Sequence, residues 1–214
     1  MKNKIRGFNV LELLIVIVVV SFLTIILLPA FAVSHRPRRS LRINCVCNLK
    51  QVGLAFRMWS DDNNNLYPMR ALTNQAGGLL FADETNGFRY FQVMSNELST
   101  PKVVVCPADS RIAATNFTTD FSGLHLSYFV GLSADELHPN TLLSGDRNVT
   151  NGQKPMHGIL EVQNNQNIGW TSELHNGFGN VGLGDGSVQQ FTPNGLTAFV
   201  RNSGIATNRI LLPP

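Results

Sequence analysis

At 214 residues, with 43% hydrophobic and 14% charged side chains, the chain has room for one domain with a real core beyond any N-terminal segment. The formal charge of +3 is misleading: three of the 17 cations, Lys2, Lys4 and Arg6, precede Gly7, and from Phe8 onward 14 basic residues face 14 acidic ones. From Ile43 the count is 10 basic against 13 acidic, which excludes a nucleic-acid binder by bulk charge.

After the basic start comes Glu12, and then Leu13 to Val33, 21 residues without a formal charge. About 20 apolar residues suffice to cross a bilayer as a helix, so the run predicts a transmembrane helix. An acid at its mouth is a functional-site candidate in need of a partner. Two readings compete. Ala30-Phe31-Ala32 fits the small-x-small site of a cleaved secretory signal, although such cores run only about 7–15 residues. In a plain signal anchor, Gly7 and Glu12 carry no meaning.

The order of these features, a short basic leader, Gly7-Phe8, Glu12, an apolar helix and Pro29, resembles the N-terminus of type IV pilins and type II secretion pseudopilins. The resemblance covers about the first 33 residues and implies three things. A prepilin peptidase cuts between Gly7 and Phe8 on the cytoplasmic side and methylates the new amine of Phe8. Glu12 pairs with the N-terminal amine of a neighbouring subunit during assembly, so the carboxylate is not left unpaired in a low dielectric. Pro29 kinks the helix. Asn9 departs from the hydroxyl residue frequent in that family.

Beyond Val33 lies a basic collar of Arg36, Arg38, Arg39 and Arg42, which reads either as a solvated charge cluster or as a surface for lipid headgroups or acidic neighbours. Pro37 predicts a bend or gap near His35 to Pro37. An amphipathic helix then follows: Leu41, Cys45, Leu49, Val52, Phe56 and Trp59 recur at three- and four-residue steps, with Lys50 and Arg57 opposite and Gly53 a weak point. Asp61-Asp62-Asn63-Asn64-Asn65 ends it. Asp61 and Asp62 are weak calcium candidates, because no glutamate follows at EF-hand spacing.

Asn48-Leu49-Lys50-Gln51, Tyr67-Pro68 and the later Cys106-Pro107 resemble a bacterial pseudopilin-like subfamily with a cysteine just before Asn-Leu-Lys-Gln. Three cysteines in an exported domain suggest one disulfide and one odd thiol, Cys45–Cys106 or alternatively Cys47–Cys106, against a fully reduced set. No metal site is expected, since Cys-x-Cys is not zinc spacing and no fourth ligand is evident.

In the middle of the chain, Gly77-Gly78 and the stretch around Asp83 to Gly87 read as turns. Arg89 to Leu98 reads as a short helix, Val103 to Val105 and His125 to Gly131 as strands, and Asp146 to Asn148 as a loop. Asp185-Gly186, between Asn180 to Leu183 and Ser187 to Gln190, is a hairpin signal. His175 lies ten positions before Asp185, and this His-x9-Asp-Gly spacing is similar to the C-terminal signature of the same subfamily. No nucleophile accompanies the pair, so the expected roles are structural: His175 hydrogen-bonds its loop and Asp185 forms the turn.

The expected fold is α+β and pilin-like: a long N-terminal helix, its first half transmembrane, packed on a small antiparallel sheet. The expected organisation is a leader over 1–7, a transmembrane and assembly helix over 8–33, a collar and amphipathic helix over 34–60 and a periplasmic domain over 61–214. The expected function is that of a pilin-like or pseudopilin subunit, without enzymatic activity or cofactor, in a type II secretion or type IV pilus-like filament. It would be single-pass in a bacterial inner membrane, with its N-terminus cytoplasmic. The expected partners are other pilin-like subunits, the prepilin peptidase and membrane lipid. The alternative from another class is a membrane-anchored periplasmic or surface binding module.

Overall fold

A computed structural model describes residues 9–31, 37–72 and 80–214, and the chain divides into two units, Met1–Pro37 and Arg38–Pro214. In the first unit, helix α1 spans Val10–Phe31. Its start is a capping box. The Asn9 side-chain oxygen accepts from the Leu11 amide at 3.4 Å, and the Glu12 carboxylate accepts from the Asn9 amide at 3.1 Å, so each side chain satisfies a donor that the first helical turn leaves free. Glu12 therefore has a local partner, and Asn9 supplies the cap. Every described side chain from Val10 to Ile26 is exposed.

The transmembrane expectation is not upheld: among the described residues, no helix is long and apolar enough to cross a membrane. The first turn of α1 carries the acid Glu12, a charge that a hydrocarbon core penalises. The single-pass inner-membrane location, with a cytoplasmic N-terminus and a periplasmic domain, loses its support for the same reason. Pro29 falls within α1, but its side chain, the Gly7-Phe8 cut, Arg36, the side chains of Arg38 and Arg39, and Gly77-Gly78 lie outside what is described.

In the second unit, helix α2 spans Pro37–Asp62. Cys45, Leu49, Val52, Phe56 and Trp59 are buried, while Lys50 and Arg57 are exposed, as the helical period requires. Asn64 and Asn65 adopt left-handed φ of 59° and 56°, and the amides of Asn63 and Asn65 both donate to the Ser60 carbonyl at 2.9 Å, which closes the helix. Three single-turn helices follow, α3 (Pro68–Ala71), α4 (Arg89–Gln92) and α5 (Ser95–Leu98). The segment expected as a strand at Val103 to Val105 is instead a 3-10 turn over Pro101–Val104. Pro101 removes an amide, and the Thr100 hydroxyl accepts from the Lys102 amide.

The sheet is not small. Strands β1 (Tyr128–Gly131), β2 (Leu142–Asp146), β4 (Ile159–Gln163), β6 (Gly179–Leu183), β7 (Val188–Phe191) and β8 (Thr207–Leu211) form one antiparallel sheet of six, in the order β4-β8-β1-β2-β6-β7. β3 (Val149–Thr150) and β5 (Gly169–Trp170) pair separately. The sheet is covered on both faces. Tyr128, Val130, Leu143 and Leu211 join the core that contains α2, whereas Phe129, Leu142, Val181, Ile210 and others join a core with helix α6 (Pro193–Asn202). Neighbouring residues point to opposite faces of a strand, so β1, β2 and β6 are buried at every position. Strands of this kind show no polar alternation in sequence, and their number is easily underestimated.

Cys45 of α2 and Cys106 form a disulfide, with their Cα atoms 5.0 Å apart, and Cys47 is free and exposed. The bond closes a loop of 61 residues in sequence separation. Cross-linking a loop of that length removes chain entropy worth about 4 kcal/mol. Replacing Cys45 and Cys106 together by alanine is expected to lower the unfolding free energy by about that amount, read from urea denaturation, with a steeper slope because the unlinked unfolded chain exposes more surface.

Candidate functional site

The disulfide is the floor of a buried polar corner. Cys45 and Cys106 are fully buried, and the ring of His175 lies over them, with Nε2 at 3.4 Å from Cys106 Sγ. His175 sits in the connection from β5 to β6, where His175, Asn176 and Gly177 hold consecutive left-handed φ of 52°, 56° and 80°. Side chains with a Cβ rarely adopt that region, and such residues persist only where their surroundings over-determine them. Here the Arg42 guanidinium, stacked 5.5 Å from the Phe178 ring centroid, donates to the His175 carbonyl at 3.1 Å. The Asn148 amide donates to the carbonyls of Thr171, Leu174 and Phe178, tying the loop down at both ends.

Asp146, at the end of β2 and fully buried, completes the corner. Its Oδ2 accepts from the Asn180 backbone amide at 2.7 Å and side-chain amide at 2.9 Å, and lies 3.4 Å from His175 Nε2. Its Oδ1 is buried without a partner. Burial pushes the Asp146 carboxyl up to about 7, against the pull of the Asn180 hydrogen bonds and of Arg42. Burial, then the Arg42 charge, holds His175 below its ordinary value. At the 3.4 Å contact, burial thus works against the charged form of both groups.

Outside this corner, Arg147 donates to both carboxylate oxygens of Asp109 at 2.8 and 3.1 Å and to Glu173 at 2.8 Å. A cleft of about 280 Å³, lined by Leu41, Arg42, Ala108, Glu173, His175 and Asn176, opens onto it. A larger cleft of about 520 Å³ lies elsewhere, along β5 and α6 beside Trp170 and Arg201, away from the buried titratable groups.

His175 and Asp185 are not brought together. Asp185 is at the tip of the β6–β7 hairpin, where its Oδ1 accepts from the Ser187 amide at 2.8 Å. Gly186 takes φ of 81°, and Asp185 is not left-handed. The turn is therefore longer than a two-residue Asp-Gly loop, with the Gly186 amide donating to Leu183 and the Leu183 amide to Ser187. Arg57 and Tyr67 hold its carbonyls, donating to Asp185 at 3.1 Å and Gly184 at 2.7 Å. A Cβ at Gly53 would meet Gly186 at an ordinary 3.6 Å, so the approach of α2 to the turn does not require a glycine there.

Asp61 and Asp62 are exposed at the end of α2. They belong to no cluster of three possible metal ligands among the described residues, a distinction held by Cys45, Cys106 and His175. Of the collar, Arg42 serves its own domain. Sequence reasoning missed Asp146, Asn148 and Asn180. Nothing local marks them, because their roles arise from strand ends distant in the chain.

No protein-family model, no curated protein and no solved structure matches the chain.

The opposed shifts at the corner predict a pH signature. Asp146 titrates at 3.8 in the unfolded chain and about 7 when folded. Its contribution to stability is full at low pH and is lost as pH rises through that window. His175, lowered from 6.5, works the other way, adding stability as pH rises toward 6.5. Asp146→Asn keeps an acceptor for Asn180 but cannot ionise. Its stability relative to wild type is expected to climb between about pH 4 and 7, by up to about 1.4 kcal/mol per pH unit. Urea unfolding at a series of pH values checks this, and a constant difference between the two proteins would refute it.

Proposed function

We propose that the chain is a pilin-like structural subunit that assembles through α1 into a filament of the type II secretion or type IV pilus kind, after a prepilin peptidase removes residues 1–7. The observation that carries this reading is the N-terminal helix itself. From Leu13 it is uncharged on all sides, its described side chains are exposed, and its only acid, Glu12, stands in the first turn. A helix that is apolar all round needs a cover. The packed core of a filament, in which the same helix from several copies meets, supplies one.

Glu12 has two roles in this reading. In the single subunit it caps the Asn9 amide. In the assembly its charge meets the free amine of a neighbouring Phe8. The two roles separate by substitution, because glutamine retains the cap and loses the charge. Mass spectrometry of the mature chain is expected to find Phe8 as the first residue, bearing a methyl group on its amine. Glu12→Gln is expected to be processed normally and to fail in co-assembly, while Glu12→Ala also weakens the helix start, by about 1 kcal/mol. An N-terminus at Val33 or Met1, or wild-type assembly by Glu12→Gln, would overturn the respective part of the reading.

A further inference from the structure

We infer that the outer edge of β7 is a self-association surface, on which a second copy of this chain pairs its own β7 antiparallel about a two-fold axis at Gln189. The ends of the six-stranded sheet are β4 and β7. Residues along an antiparallel strand turn their amide and carbonyl alternately toward one neighbour and the other. In the β6–β7 pair the Leu183 amide donates to the Ser187 carbonyl, Val181 lies opposite Gln189, and Gly179 lies opposite Phe191. Gln189 and Phe191 therefore bond to β6, while Val188 and Gln190 turn their amides and carbonyls outward. Among the described residues, no hydrogen bond reaches these outward groups. Gln189 and Gln190 point to opposite faces of the strand and both are exposed, so the edge is open on both faces there.

The opposite edge is closed. Ile159 exchanges both its backbone hydrogen bonds with Met156, at 2.9 and 3.0 Å. The Glu161 carbonyl accepts from the Asn151 side-chain amide at 3.0 Å, and the Gln163 amide donates to the Gln166 side chain at 3.0 Å. Sheets protect an edge by such cover, or by a charge or a proline on the strand. The β7 sequence, Val-Gln-Gln-Phe, has neither charge nor proline.

This contrast selects the occupant. With β4 closed, β7 cannot continue into the β4 of another copy, so the sheet does not run on from chain to chain. Within this sheet the open edge, among the described residues, is that of β7 itself. A two-fold axis at Gln189 sets Val188 opposite Gln190 of the second copy, and Gln190 opposite its Val188. All the outward amides and carbonyls then pair at once. Gln189 meets its own counterpart at a non-hydrogen-bonded position, where side chains lie closest and the two amide groups bond each other. The nearest charge, Asp185, falls opposite Pro193 of the second copy, so no like charges meet. The contact is isologous and closes on two copies. It is independent of the filament proposed above, which needs a contact that propagates. A pair of four-residue strands falls short of the about 1,000 Å2 that a lasting dimer buries, so this dimer exchanges with monomer.

The test uses the full chain in detergent, carrying Cys47→Ser to remove the exposed free thiol. In that background Gln189→Cys is expected to form a disulfide-linked dimer on mild oxidation, read on a non-reducing gel. Gln190→Cys is the register control: its two copies lie more than about 7 Å apart across the pair, beyond the reach of a disulfide, and it is expected to cross-link at least about tenfold less. Association through α1 alone has no such register and cannot produce this difference. Adding Gln190→Pro to Gln189→Cys removes an amide that the single chain does not use, and is expected to abolish the cross-link with folding confirmed by circular dichroism. If the proline variant does not fold, the comparison of the two cysteines decides. Equal cross-linking at both positions, no cross-link at either, or a cross-link that survives in the folded proline variant would overturn the proposal.

Discussion

The second unit depends on how α2 is held against the sheet. Its apolar stripe supplies one side of the main core, but three further ties fix its position. Cys45 bonds to Cys106, Arg42 donates to the His175 loop, and Arg57 donates to the tip of the β6–β7 hairpin. The ties are spaced along the helix and reach the Cys106 segment, the His175 loop and the β6–β7 hairpin. Van der Waals packing alone permits sliding between apolar surfaces of similar volume. A covalent bond and two directional hydrogen bonds do not.

This arrangement explains why a histidine and an aspartate-glycine pair ten residues apart both matter without meeting. The two ends of the motif serve two ties. His175 packs over the disulfide beside Asp146, and Asp185-Gly186 builds a turn whose carbonyls accept from Arg57 and Tyr67. The strand β6 between them carries Asn180, which holds Asp146. The stretch from His175 to Gly186 thus forms a single docking surface for α2, with Asp146 and Asn148 buried behind it, each leaving one side-chain oxygen without a partner.

The first unit poses a different physical problem. α1 solves its own hydrogen bonding through the Asn9–Glu12 capping box, yet its apolar side chains have no such internal solution. Backbone satisfaction and side-chain burial are separate requirements, and only the former can be met within one helix. The latter has to come from other surfaces, and that is the basis for placing the helix in an assembly.

The apolar helix at the N-terminus, the buried period from Cys45 to Trp59, the asparagine stop after Asp62 and the turn at Asp185-Gly186 were all legible in the sequence, because each is set by contacts between residues a few positions apart. The pairing partner of Cys106 was narrowed to two cysteines, Cys45 and Cys47. Only the buried face of α2 decides between them, since Cys45 points into the core and Cys47 to solvent. The six-stranded sheet was hidden, because strands covered on both faces lose the alternation that betrays a strand. The corner around His175 was hidden for a deeper reason. Asp146, Asn180, Cys106 and Arg42 come from separate segments, and the burial that sets their protonation exists only once the helix, the loop and the strand ends have closed around them.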